Sequence, residues 1–128
     1  MEIFATYCSA HKKEDSGLLP AIERYQSDRI RNIKDLADQK AVPFFILSGK
    51  FGLIPAGNPV PFYDHLLINK AVAGHSQKVA QQISEKGINS IRYFTRDPRI
   101  DLNIDPYLKC IQKACEICET EFSRELII

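Results

Sequence analysis

Apolar positions along the chain fall into short β-prone runs that alternate with stretches of helical spacing. Ile3 to Cys8 is mostly apolar and reads as a first strand. Pro20 suits the first turn of a helix. Ile22, Ile30, Ile33 and Ala37 then recur at helical spacing with charges between them, which predicts one helix from about Pro20 to Lys40. Val42 to Ser48 is a second strand. A helix over Ala71 to Lys86 carries Val72, Val79 and Ile83 on one face and stops at Gly87. Ile88 to Thr95 is a third strand. Asp105-Pro106 opens a third helix that carries Leu108, Ile111, Ala114, Cys115 and Cys118, and Glu121 to Ile128 reads as a last strand. Gly49 to Asn69 is a long connection punctuated by Pro55, Pro59, Pro61, Gly52 and Gly57. Its aromatics Phe51, Phe62 and Tyr63 argue for an ordered, functional loop rather than a slack one.

This alternation implies an α/β fold: a single domain with a mainly parallel sheet of about four strands covered by helices. The loops after Cys8, Ser48 and Thr95 then share one edge of the sheet, where ligands bind in open α/β folds. The last of these loops holds Arg96-Asp97-Pro98-Arg99. A length of 128 residues suits one domain with a full core. A formal net charge of +1 excludes a global basic field that would recruit nucleic acid, though not a local patch. No run approaches transmembrane length, and the acidic, soon polar N-terminus is unlike a signal peptide. The 4 cysteines need no disulfide framework at this size, so a cytoplasmic chain with reduced thiols and no membrane partner is expected.

Candidate chemistry gathers at the predicted sheet edge. Cys8 and Ser9, with Lys12 close by, form either a nucleophile beside a cation or a packed thiol in an ordinary turn. Ser9 and the loop amides also suit an anion, with Lys12 as counter-charge. Ser48-Gly49-Lys50-Phe51-Gly52 has the composition of an anion-binding turn but lacks Walker A spacing. Tyr63-Asp64-His65 supplies a phenol, a carboxylate and an imidazole, as acid/base machinery or as a loop held by its own side chains. The catalytic candidates are therefore Asp64, Tyr63 and Cys8, and the ligand-binding candidates are Ser9, Lys12, Ser48, Gly49, Lys50 and Gly52. Arg24 and Tyr25 either point toward the same sheet edge or belong with Glu23, Asp28, Arg29 and Arg31 to a salt-bridged, solvated helix face, and the solvated face is the favoured reading. Cys110, Cys115 and Cys118 share one predicted helix and read as core rather than metal ligands, so neither a metal nor a cofactor is expected.

The segment Ile46 to Pro55 followed by Pro61-Phe62-Tyr63-Asp64 resembles the Leu-Ser-Gly-x-aromatic-Gly-aliphatic-aliphatic-Pro then Pro-Tyr segment of the YaaA peroxide-stress proteins. Cys8-Ser9-Ala10-His11-Lys12 is similar to their N-terminal Ser-Pro-Ala-Lys segment. Small bacterial and phage domains with a Cys-Ser…Lys, Arg-Tyr, Ile-Leu-Ser…Gly-Leu, Tyr-Asp pattern look closer still. The resemblance spans residues 3 to 67 and implies an α/β fold and a link to DNA or nucleotide metabolism under oxidative stress. The positions it carries over are Ser9, Lys12, Ser48, Lys50, Gly52 and Tyr63. The chain has no room for the helical DNA-binding insert associated with those proteins, and Asp64 stands where they tend to carry a basic residue. The expected ligand is thus a nucleotide or nucleobase at the C-terminal edge of the sheet, with N-glycosidic or phosphate-ester chemistry if the protein is an enzyme. The alternatives are a non-catalytic nucleic-acid-binding stress protein and a nucleoside deoxyribosyltransferase-like enzyme, for which no catalytic Glu is evident.

Overall fold

A computed structural model describes residues 1–127. In chain order the elements are β1 (Glu2–Tyr7), β2 (Leu19–Pro20), α1 (Ala21–Arg24), α2 (Asp28–Gln39), β3 (Phe44–Ser48), β4 (Gly52–Pro55) and β5 (Pro59–Val60). There follow α3 (Val72–Glu85), β6 (Ser90–Thr95), α4 (Asp105–Cys118) and β7 (Glu121–Leu126), with short 3-10 turns leading into α3 and α4. Ile128, at the end of the last expected strand, lies outside the described residues.

The main sheet has five strands in the order β4-β3-β1-β6-β7. β3, β1, β6 and β7 run parallel, and β4 pairs antiparallel to β3. The fold is thus α/β with a mainly parallel sheet. The fifth strand lies inside the segment expected to be a loop. Gly52-Leu53-Ile54-Pro55 is only 4 residues long and is bounded by Gly and Pro, which mask a strand in the sequence. β2 and β5 form a separate two-residue ladder that fastens the start of α1 to the 55–60 segment.

The predicted first helix is broken. α1 ends at Arg24, Tyr25 takes an extended conformation, and Ser27 caps α2 by accepting Ile30 N–H at 3.3 Å. The loop after β1 fills the break: Lys13 N–H donates to Arg24 O at 2.8 Å and Gln26 N–H to His11 O at 3.0 Å. Two further helices cover the sheet. The crossover from β1 to β3 runs one way and those to β6 and β7 the other. Right-handed crossovers therefore put α2 on one face and α3 and α4, packed together, on the opposite face. The core is built from Ile3, Phe4, Ala5, Ile46, Leu47, Ile91 and Tyr93 of the central strands and Ile30, Ile83 and Ile111 of the helices. Among the described residues no helix is long and apolar enough to cross a membrane.

Candidate functional site

The strand order reverses between β1 and β6, and the chain leaves these two neighbours toward opposite faces of the sheet. A crevice opens there at the carboxyl ends of the strands. It holds a cleft of about 390 Å³, lined by Tyr7 to Lys12 after β1, by Arg96 after β6, and by Asn103, Ile104 and Tyr107 at the start of α4. Arg29 of α2 and Asp64 to Leu66 of the long connection complete the wall.

Three cations reach this cleft from three separate elements: Lys12, Arg29 and Arg96. None of them forms an ion pair among the described residues. Asp64 and Asp101 are the carboxylates on the wall, so the lysine and two arginines outnumber them. Lys12 is held by the pairing of its strip against Tyr25, and its Nζ lies 4.7 Å from the Tyr63 ring centroid and 5.8 Å from that of Tyr25. Arg29 Cζ lies 3.6 Å over the Tyr7 ring. Its Nη1 donates to Thr6 Oγ1 at 2.6 Å and Tyr7 O at 2.9 Å, and its Nη2 to Cys8 O at 3.3 Å. Burial works against this guanidinium charge, and the neighbouring Tyr7, Tyr93 and Cys8 work for it.

The sequence-derived candidates divide into two groups. Cys8, Ser9, Lys12 and Asp64 line the cleft. Cys8 is buried, with its Sγ 3.8 Å from Tyr107 Oη, and Asp64 is exposed on the wall. Ser9 Oγ donates to His11 O at 2.7 Å and so closes its own turn. Ser48, Gly49, Lys50, Gly52 and Tyr63 stand behind or beside the cleft. Ser48 is fully buried, and its Oγ accepts N–H groups from Lys50 at 3.1 Å and Phe51 at 3.0 Å. Both lone pairs are then used, so its proton goes to Tyr63 Oη at 2.8 Å. Tyr63 Oη bonds in turn to Tyr25 Oη in a short contact. Burial raises the Tyr25 phenol to about 12 and Tyr63 higher still. Both are neutral at physiological pH, and one donates to the other.

Gly49 is the hinge between the two groups. A Cβ there would lie 2.7 Å from Tyr107 Oη and 3.1 Å from Leu67 N. Its absence lets Tyr107 Oη accept the Leu67 N–H at 3.2 Å, which sets the back wall of the cleft. Gly52 has φ +83° and lies against Gln82, whose amide accepts Leu53 N–H at 2.8 Å and donates to Phe51 O at 2.9 Å. These two glycines shape a β-turn and a close approach, while Lys50 is exposed outside the cleft lining.

Sequence reasoning missed Arg29 and underused Arg96. Asp28 and Arg31 do form an exposed pair at 3.8 Å, as a solvated face requires. Arg29 instead turns inward, and Arg24 is fully buried. Arg24 spends its guanidinium on backbone oxygens: Lys13 O at 2.6 Å, Asp15 O at 3.4 Å, Gly17 O at 2.5 Å and Val60 O at 3.3 Å. The one available signal was the break itself, since a Ser27 N-cap restarts the helix and resets which faces point inward. Cys110 and Cys115 are buried, which raises both thiols to about 12, and Cys118 Sγ donates to Ala80 O at 3.1 Å between α4 and α3. Among the described residues no group of three or more His, Cys, Asp or Glu is placed to hold a metal ion.

Fold and cleft together define a class: a single-domain α/β protein with a cationic cleft where its strand order reverses. No protein-family model matches the chain, and no curated protein or solved structure matches it.

Proposed function

We propose that the protein binds a small anionic ligand of the nucleotide class in the cleft between the β1 and β6 loops. The observation that carries this reading is the convergence of Lys12, Arg29 and Arg96, none paired with a carboxylate among the described residues, on one concave site at the sheet's reversal point. A volume of about 390 Å³ accommodates a mononucleotide-sized molecule. Lys12 and the two arginines take the phosphate. Asp64 on the wall is the acid/base candidate for N-glycosidic or phosphate-ester chemistry. Phe51 and Tyr63 do not line the cleft, so they offer no face for a base there. The resemblance to YaaA peroxide-stress proteins belongs to this proposal and points to DNA or nucleotide metabolism.

A second reading, non-catalytic binding of a single-stranded nucleic-acid end, is favoured by one observation. Ile100 and Leu102, which flank Asp101 of the cleft wall, are 85% and 77% exposed. A polymer end would cover them, and a mononucleotide would not.

Thermal denaturation with nucleoside monophosphates, matched nucleosides and inorganic phosphate tests the reading. A ligand at 100 times its Kd stabilises the fold by about 2.7 kcal/mol. Monophosphates are expected to raise Tm, and Lys12→Ala and Arg96→Ala to weaken that effect at least tenfold. Lys50→Ala should leave it unchanged. Equal stabilisation by nucleosides lacking phosphate, or none by any ligand, would sink the proposal.

A further inference from the structure

We infer that Arg29 is the anion-recognition residue of this cleft: it presents one edge of its guanidinium as a two-pronged donor to a phosphate monoester or a carboxylate. The inference rests on the cleft's being an anion site and adds which residue reads the anion and what shape that anion has.

The argument is a count of hydrogens. A guanidinium carries five N–H groups in a rigid plane. Both Nη1 hydrogens are spent, on Thr6 Oγ1 and Tyr7 O. Thr6 Oγ1 donates its own proton to Phe94 O at 2.7 Å and is therefore an acceptor toward Arg29. Nη2 spends one hydrogen on Cys8 O. Tyr7 O and Cys8 O are successive carbonyls of the chain, reached from the two different η nitrogens, so they occupy the end of the plane. The Nε–H and the second Nη2–H are left. They lie side by side along the long edge, which matches two oxygens of one carboxylate or phosphate in a bidentate pair.

The fork is also fixed in space before any ligand arrives. The Tyr7 ring supports one face of the plane, and the carbonyls at the end of β1 hold its tip. Recognition then costs little side-chain entropy. Lysine in this place would deliver charge without the paired geometry. Lys12 and Arg96 are on the same cleft and add charge, but neither has its donors oriented by other hydrogen bonds among the described residues. A monatomic anion can sit between the two prongs, but it offers one centre, so its two contacts converge and bend where a carboxylate or phosphate gives two parallel bonds. The selected ligand class is therefore an anion with two oxygens in one plane.

Arginine side-chain NMR on the wild-type protein tests this, with the Arg29 Nε–H assigned through bonds. Inorganic phosphate and acetate are titrated separately, with chloride at matched ionic strength, and Tm is measured in parallel. Saturating movement of the Arg29 Nε–H signal with phosphate or acetate, at concentrations at least tenfold below any needed for chloride, is the expected result, and equal response to chloride overturns the two-oxygen selectivity; the tighter of the two oxyanions names the ligand's source. Arg29→Lys, where it folds, should weaken that anion at least tenfold. If phosphate or acetate raises Tm while the Arg29 Nε–H stays unmoved, Arg29 is only a staple for β1, and the anion site rests on Lys12 and Arg96. If no anion raises Tm or moves any cleft signal, the cleft reading falls together with this inference.

Discussion

At the scale of single residues, buried polar side chains separate the cleft from its support. Ser48, Tyr63 and Tyr25 form a linear hydroxyl chain behind the cleft wall. Tyr63→Phe removes the acceptor of the Ser48 proton and the partner of Tyr25 while keeping the ring against Phe51, whose centroid is 5.1 Å away. The expected cost is about 1–3 kcal/mol of stability in urea unfolding, with ligand affinity changed less than threefold. A large loss of affinity without loss of stability would return Tyr63 to the binding surface. Tyr63 and Asp64 are adjacent in sequence and attracted attention together, yet they face different ways. Residue type gave both the same promise, and only the path of the loop distinguishes a buried phenol from an exposed carboxylate. Arg24 and Arg29 show the converse. Charge argued for solvent at Arg29 and left Arg24 open to the sheet edge, and apart from the break at Ser27 neither position announced that backbone carbonyls would hold it.

At the scale of elements, the β3–β4 hairpin decides where the cleft's back wall stands. Its turn requires a left-handed residue at position 52, and Gln82 of α3 fills the space that a side chain there would need. Gly52→Ala combines the backbone penalty of about 1–2 kcal/mol with displacement of the Gln82 amide. A fall of at least about 2 kcal/mol in unfolding free energy is expected. A change under about 0.5 kcal/mol, the range of ordinary surface substitutions, would show that the turn relaxes freely. The strands β1, β3 and β6 were legible because each is a short run rich in β-branched and aromatic residues, even though Arg92 interrupts the apolar positions of β6. β4 was not, since 4 residues between a Gly and a Pro carry no periodicity. The break after Arg24 was hidden by coincidence: Ile22 and Ile30 lie eight positions apart, close to two turns and a bit, and keep phase across a gap that is not helical.

At the scale of the whole molecule, stability responds to acid through the joint between α3 and the sheet. Ser48 O can only accept, so His75 carries its proton on Nε2 and donates at 2.8 Å. Burial lowers the pKa of His75 despite that hydrogen bond, with Lys78 and His65 acting in the same direction. A depressed folded-state value means that the unfolded chain takes up the proton first as pH falls. The His75 contribution is complete above about 6.5 and is lost as pH drops from there through the folded-state value. Urea unfolding at pH 7.5 and pH 5 should show lower stability at pH 5, and His75→Gln, which keeps an N–H donor, should reduce that difference. An undiminished difference in the variant would assign the acid response to other groups.

β1 is the central strand of the sheet, and this sets a clock for the growing chain. Its neighbours are β3 and β6, and the bond from Thr6 to Phe94 spans 88 residues. At a synthesis rate of about 5–20 residues per second, the strand made first waits roughly 5–20 s for its second partner. Throughout that interval Ile3-Phe4-Ala5-Thr6-Tyr7 is an apolar, β-prone segment with at least one open side. The cleft, which needs the ends of both β1 and β6, cannot exist until the wait is over. The cleft is therefore complete only in chains that have already brought β6 beside β1.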